Sequence, residues 1–282
     1  MKSSNPVFAN NAEFNGRATT QYADPSQWQI DLSGSGQSTQ TPTATGRMTL
    51  DSVVEKTAIT IGTVVVFAAI AWFAIGQMWN DLGQIDQSAV QTAWLFAMGG
   101  MFVGFALAMV NSFKKVISPA LVLAYAAAEG VFVGAFSKIV ATWVGDSAIV
   151  FQAVVATFVA AGATLAAYKF FNIKVTAKFR KVVMISVFAF AAVMLVNFVL
   201  SIFGVLDDGG LRNFGALGLV VSLVAIVLAV LCLIMDFDFV ENGVRAGLPE
   251  REAWRAAFGL TVTMVWLYLE ILRVLAILRG DN

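Results

Sequence analysis

Residues 214–238 read FGALGLVVSLVAIVLAVLCLIMDFD. No charge occurs from Phe214 to Met235, and then two carboxylates arrive, Asp236 and Asp238. At 1.5 Å of rise per residue, such a run crosses a hydrocarbon core of about 30 Å as a single α-helix. The pattern repeats outward from it. Apolar runs precede it at 57–76, 90–110, 120–142, 148–170 and 182–204, and a charge-interrupted run follows at 257–278. The expected fold is an all-α membrane protein with seven transmembrane helices. The alternating short strands of a membrane barrel are missing.

Composition agrees. Hydrophobic residues make up 59% of the chain and charged residues 13%, with a mean hydropathy of +0.78. A soluble domain is typically about 25% charged. The net charge is +0, so nothing points to nucleic acid. The chain has no histidine. That removes the usual near-neutral switch, the commonest metal ligand and every Ser–His or Cys–His nucleophile. The single cysteine, Cys232, lies in the sixth run and carries no compartment signal. A retinal protein needs a lysine in its last helix, and residues 257–282 hold none. The GxGD sequence of an intramembrane aspartyl protease is absent, and two similar halves of a secondary transporter are not evident. The expectation is a non-enzyme without a resident cofactor.

Residues 1–50 are different material. The stretch 31–46, DLSGSGQSTQTPTATG, cannot bury a core, so residues 1–50 are expected to be a disordered tail. Residues 51–282 then form the membrane domain. Phe8, Phe14, Tyr22 and Trp28 are scattered along the tail, which has no apolar stretch suited to a secretory signal.

Basic residues alternate by loop. Lys56, then Lys114 and Lys115, then Lys169–Lys181, then Arg245, Arg251 and Arg255 fall on one side. Asp81, Asp86, Asp146, Asp207 and Asp208 fall on the other, with Arg212 among them. Basic loops face the cytoplasm, so a cell-membrane protein with a cytoplasmic N-terminus is expected. A seventh span would place Asn282 outside, and a re-entrant seventh segment is the competing reading.

Some charges are not explained by interfaces. Glu129 lies about 14 Å of helix rise beyond Ala120. Glu270 lies about 18 Å beyond Phe258, and Arg273 shares its face at a spacing of three. An ionisable group at such depth costs about 2.5–3.5 kcal/mol or more on insertion scales. These residues therefore mark an ion path, a proton relay or a gate, unless Glu270 is simply neutralised by Arg273 and Glu129 by a neighbouring helix. Asp236 and Asp238 are read at the point where helix six leaves the membrane. Carboxylates without histidine suit a hard cation such as Ca²⁺, or a shared proton. By helix rise, Asp236 and Glu270 stand about 15 Å apart along the membrane normal. Either helix seven starts later, or Glu270 pairs with Glu129. The GxxxG spacings Gly100/Gly104 and Gly130/Gly134 read as close helix contacts.

Three stretches carry a resemblance. ISPALVLAYAAAEGVFVGAFSKI (117–139), LCLIMDFDFVENG (231–243) and WLYLEILRVLAIL (266–278) resemble the Bax-inhibitor-1 family, the transmembrane Bax-inhibitor-motif superfamily, and look closest to its bacterial branch. The likeness spans about residues 53–278 and leaves 1–50 outside. It implies six helices around a central seventh and a pH-sensitive Ca²⁺ leak in the bilayer. It implies an acidic pair between helices six and seven that senses protons and could hold the cation. By position that pair falls on Asp236, or Asp238, with Glu270. A basic latch at the end of helix two falls on Lys114 or Lys115. Glu129 and Arg273 would stand along the ion path. The sequence departs from the family pattern in having glutamate at 270, the MDFDF setting of Asp236 and a longer span between the two acids. The alternative is a non-transporting regulator that binds a membrane protease or another complex through its tail and loops.

Overall fold

The computed structural model describes residues 46–80 and 83–280. Its elements are α1 (Leu50–Ile75), α2 (Gln87–Phe113), α3 (Pro119–Val144), α4 (Ala148–Phe170), α5 (Ala177–Ile202), a 3₁₀ segment (Asp207–Arg212), α6 (Ala216–Arg245) and α7 (Glu252–Gly280). All seven α-helices are long and apolar enough to cross a membrane. Helices satisfy their own backbone groups, which hydrocarbon cannot do for them.

The helix starts are written locally. Thr49 and Ser52 form a reciprocal capping box at α1, with bonds of 3.0 and 3.1 Å. Asp86 caps α2, its carboxylate accepting from the Ser88 amide at 2.8 Å and the Ser88 hydroxyl at 2.6 Å. These bonds, the hydroxyl's first, hold the Asp86 carboxyl below its ordinary value. Pro119 opens α3 at a position that needs no amide donor.

Several boundaries differ from the sequence reading: α1 begins at Leu50 rather than 57 and α5 at Ala177 rather than 182, and two more lie near the charged residues of α6 and α7. Helix six does not end at Met235 but continues to Arg245. The charges of its last turns support it, with Arg245 donating to Glu241 at 2.6 Å across one turn. Helix seven begins at Glu252, earlier than 257, with Arg255 on Glu252 at 2.7 Å.

α7 is the centre. Leu267 and Leu272 are fully buried on it, and it packs against α1, α3, α4 and α6. Lipid offers no hydrophobic drive between helices, so close van der Waals fit must hold them. Glycine supplies it between α1, α2 and α3. A Cβ at Gly134 would stand 2.2 Å from the Ala68 carbonyl oxygen, and one at Gly130 2.5 Å from that of Val64. One at Gly100 would meet the Phe132 nitrogen at 2.7 Å. Both GxxxG spacings are thus seams on α3. α5 stands apart, with only Val183 and Asn197 buried along it.

The two ends of the bundle are tied differently. At the end where α7 begins, Lys56 pairs with Glu250 at 3.1 Å and Arg255 donates to the Lys115 carbonyl at 2.9 Å. Met48, 2% exposed, bonds through its amide to Leu248 at 2.7 Å. Of the expected tail, residues 1–45 lie outside the described residues, and 46–49 dock on the α6–α7 turn. At the opposite end, Arg279 pairs with Asp146 and donates to Gln152 at 2.8 Å. α7 therefore runs the full length of the bundle rather than turning back. The Arg279 charge at that end is met by the acid of the α3–α4 connection.

Candidate functional site

α6 carries Asp236 and Asp238 two residues apart, about 200° around the helix. They face different neighbours. Asp236 looks at α7, where the Thr263 hydroxyl lies 2.7 Å from its Oδ2. Gly259, one turn before Thr263, lies beside the carboxylate, where a Cβ would make ordinary contact with Oδ1 at 3.6 Å. Asp238 turns to α5 and accepts from Arg180 at 2.9 Å. Only Asp236 faces the central helix, which settles which of the two aspartates addresses α7.

Glu270 does not meet Asp236. It lies seven residues beyond Thr263 on the same face of α7, about 10 Å of rise away. Both its oxygens are taken by Arg212 Nη1, at 2.8 and 3.0 Å. Glu270 is 3% exposed. Arg212 reaches it from the end of the 3₁₀ segment between α5 and α6. The two expected partners for Glu270 are thus both replaced. α7 starts earlier, not later, which leaves Glu270 well beyond Asp236. Glu129 faces another way, its Oε2 2.9 Å from where a Cβ of Gly104 on α2 would stand, with Tyr125 interacting from one turn earlier. A joint cation site on Asp236 and Glu270 is not formed.

Arg273 does not neutralise Glu270 by direct contact either. Its Nη2 donates to the Asn213 carbonyl at 3.1 Å, and its guanidinium lies 4.8 Å from the Phe214 ring centroid. It is 6% exposed, and its Nε has no hydrogen-bond partner. Lys114 and Lys115, the expected latch, are exposed at the end of α2. Their carbonyls receive Arg255, and among the described residues neither makes an ion pair. The basic partner of a buried acid on α7 is Arg212, from the opposite end of the bundle.

Asn197 of α5 fixes the segment that carries Arg212. Its amide donates to the Gly209 carbonyl at 3.1 Å, and its oxygen accepts from the Leu211 amide at 2.8 Å. Deeper in the bundle, Ser137 and Tyr268 share a hydrogen bond of 2.7 Å between α3 and α7. Arg212, Thr263 and Asn197 were missed by sequence reasoning. Thr263 is recoverable, because a spacing of seven places it on the face of Glu270. Asn197 stands out as a lone amide in an apolar run. Arg212 is visible only as the one base of an acidic loop.

Among the described residues, no group of three or more His, Cys, Asp or Glu stands ready to hold a metal ion. What the arrangement offers is a line of polar side chains against α7: Asp236 with Thr263, then Glu270 closed by Arg212. A family model described as "Bax inhibitor 1 like" matches residues 5–280. The match takes in most of the segment 1–50, which the sequence resemblance had left outside. No curated protein matches the chain.

Proposed function

The chain belongs to the Bax-inhibitor-1-like family, and from that premise we propose that it is a pH-sensitive cation leak with Ca²⁺ as cargo. The path follows α7 from Asp236 to Glu270, and the Arg212–Glu270 bridge closes it. One observation carries this reading: a carboxylate deep on the central helix whose two oxygens are both occupied by a guanidinium from a short connecting segment. While Arg212 bridges both oxygens, its positive charge opposes a cation at Glu270. Protonating the carboxyl removes the charge to which Arg212 bridges, and the Arg212 side chain is freed. Flux therefore rises on acidification, until further acid blocks cation binding.

Cation flux into proteoliposomes across a pH series tests this. Arg212→Gln raises flux at high pH and shrinks the response; loss of about 1.4 kcal/mol of closure is a tenfold change. Glu270→Gln flattens the response while the protein still purifies. Flux and pH profile unchanged in both variants would sink the reading.

The basic end of the bundle is proposed to face the cytoplasm. A cysteine at Thr176, with Cys232 replaced, then resists an impermeant thiol reagent in intact cells, and one at Ser147 reacts. The reverse pattern overturns the orientation. A second reading, a regulator that binds a membrane protease or another complex through its first residues, draws on the family match reaching residue 5. Deleting residues 1–45 leaves flux intact under the first reading and abolishes activity under the second.

A further inference from the structure

Between α5 and α7 lies an open cleft of about 590 Å³. It exists because α5 packs on α6 and the 3₁₀ segment but makes no close backbone contact with α7. Side chains alone approach across the gap, with the Phe190 and Trp266 ring centroids 6.2 Å apart. The α5 wall is apolar, with Ala191, Met194 and Phe198 along it. At one end the lining turns polar, with Ser201, Arg212 and Glu270. From Val187 to Ser201 the cleft follows α5 for about 21 Å of helix rise, comparable to the length of a phospholipid acyl chain.

Among the described side chains, the charge at the polar end is not balanced. Arg212 and Arg273 stand against one carboxylate, Glu270, and both Arg212 and Glu270 act electrostatically on Arg273. Among the described side chains, two guanidiniums thus stand near one buried carboxylate, and Arg273 keeps an Nε without a partner. A charge out of water calls for a counter-charge. The Arg212 side chain is 28% exposed, against 4% for Glu270, so the cation of the pair is the member that an incoming group can meet. A guanidinium has five N–H donors, and Glu270 takes only those of Nη1.

We propose that this cleft binds an anionic phospholipid, with its headgroup phosphate on Arg212 and an acyl chain lying along α5. The phosphate supplies the missing negative charge, and the chain fills the apolar length that a free phosphate would leave empty. A zwitterionic lipid also brings a cation to a site already in positive excess and is disfavoured. The site stands whether or not the chain conducts ions, and its readout is lipid retention rather than flux.

Native mass spectrometry of the purified full chain, given equal amounts of phosphatidylglycerol and phosphatidylcholine, decides the matter. The wild type retains phosphatidylglycerol in preference by about fivefold, the scale of one basic residue acting on an anionic lipid. Arg212→Gln brings the ratio to parity, and Arg212→Lys keeps it. Ala191 is exposed on the cleft wall, so Ala191→Trp fills the groove without touching the ion pair and removes the retained lipid. Equal retention of both lipids by the wild type overturns the proposal, as does undiminished retention in Ala191→Trp. Displacement of the lipid by glycerol phosphate alone overturns it in favour of a plain anion site. If Arg212→Gln does not purify, Ala191→Trp decides alone.

Discussion

Asp236 faces α7 and Glu270 is carried on it, and the two acids are held in opposite ways. Asp236 has a hydroxyl beside it, which donates one hydrogen bond and brings no charge. Glu270 has a guanidinium on both oxygens. The first arrangement does not depend on a charge, since the hydroxyl can donate to either protonation state of the carboxyl. The second depends on the carboxylate being ionised, because a neutral carboxyl strands the arginine. The contrast also reverses the expected geometry. Bringing two acids together between helices six and seven would have made a proton sensor by mutual repulsion. Here the place opposite Asp236 is taken by Thr263, and the charged contact has moved along α7 to a connection at the other end of the bundle. One fold can keep a carboxyl on each side of that helix contact and still divide their tasks.

Breaking the charged contact should give the largest effect. Arg212→Gln leaves Glu270 buried without its cation, a change that in buried pairs costs about 3–5 kcal/mol. Unfolding of the detergent-solubilised protein would report it. Adding Glu270→Gln to that variant should restore most of the loss, because the stranded charge then disappears. If the double variant is no more stable than Arg212→Gln alone, the bridge is not what holds the segment.

Thr263 offers the next effect. Thr263→Val leaves one carboxylate oxygen of Asp236 without its donor and should cost about 1–3 kcal/mol in the same measurement. Thr263→Asp sharpens the comparison more. Two acids at the present 2.7 Å contact cannot both ionise cheaply. That variant should begin its rise in flux at a higher pH than the wild type. An unshifted profile would show that the Asp236 end takes no part in pH sensing.

Asp238 serves as a near-neutral control. Its partner Arg180 is 58% exposed, and pairs of that kind contribute about 0–1 kcal/mol. Asp238→Asn should therefore leave both stability and the pH profile almost unchanged. A large loss there would erase the distinction drawn between the two aspartates.

The smallest effect belongs to a cap far from these sites. The folded Asp86 carboxyl lies below its ordinary value, chiefly through the Ser88 hydroxyl. Its stabilising contribution is therefore full above the ordinary carboxylate range and is lost as pH falls through the lowered folded value. Amide exchange at Ser88 and Ala89 should quicken only in that acid window, with the rest of α2 unaffected.

Much of this was legible in the residues. Uncharged runs long enough to span gave the helices, and the glycine spacings on α2 and α3 marked close helix contacts without naming the partners, because both depend on local pattern alone. The helix boundaries near charge were harder. DFDFVENGVR reads as an exit from the membrane, yet Asp238, Glu241 and Arg245 recur at helical spacing and α6 carries on through them. Polarity marks where hydrocarbon stops, not where a helix stops. The different facings of Asp236 and Asp238 follow from 100° per residue and were available. The partner of Glu270 was not. It depends on how the α5–α6 connection sits against α7, and nothing local to Arg212 encodes that.

α5 is nearly everywhere in contact with its surroundings rather than with the protein, and its one interior amide completes the backbone hydrogen bonds of the segment that follows. The consequence is for how freely the helix can vary. In a library randomised along α5, most positions facing the bilayer should accept any apolar residue. Position 197 should accept almost none, because leucine supplies neither the donor nor the acceptor and aspartate supplies only the latter. The most permissive helix of the chain would then carry one of its least permissive letters.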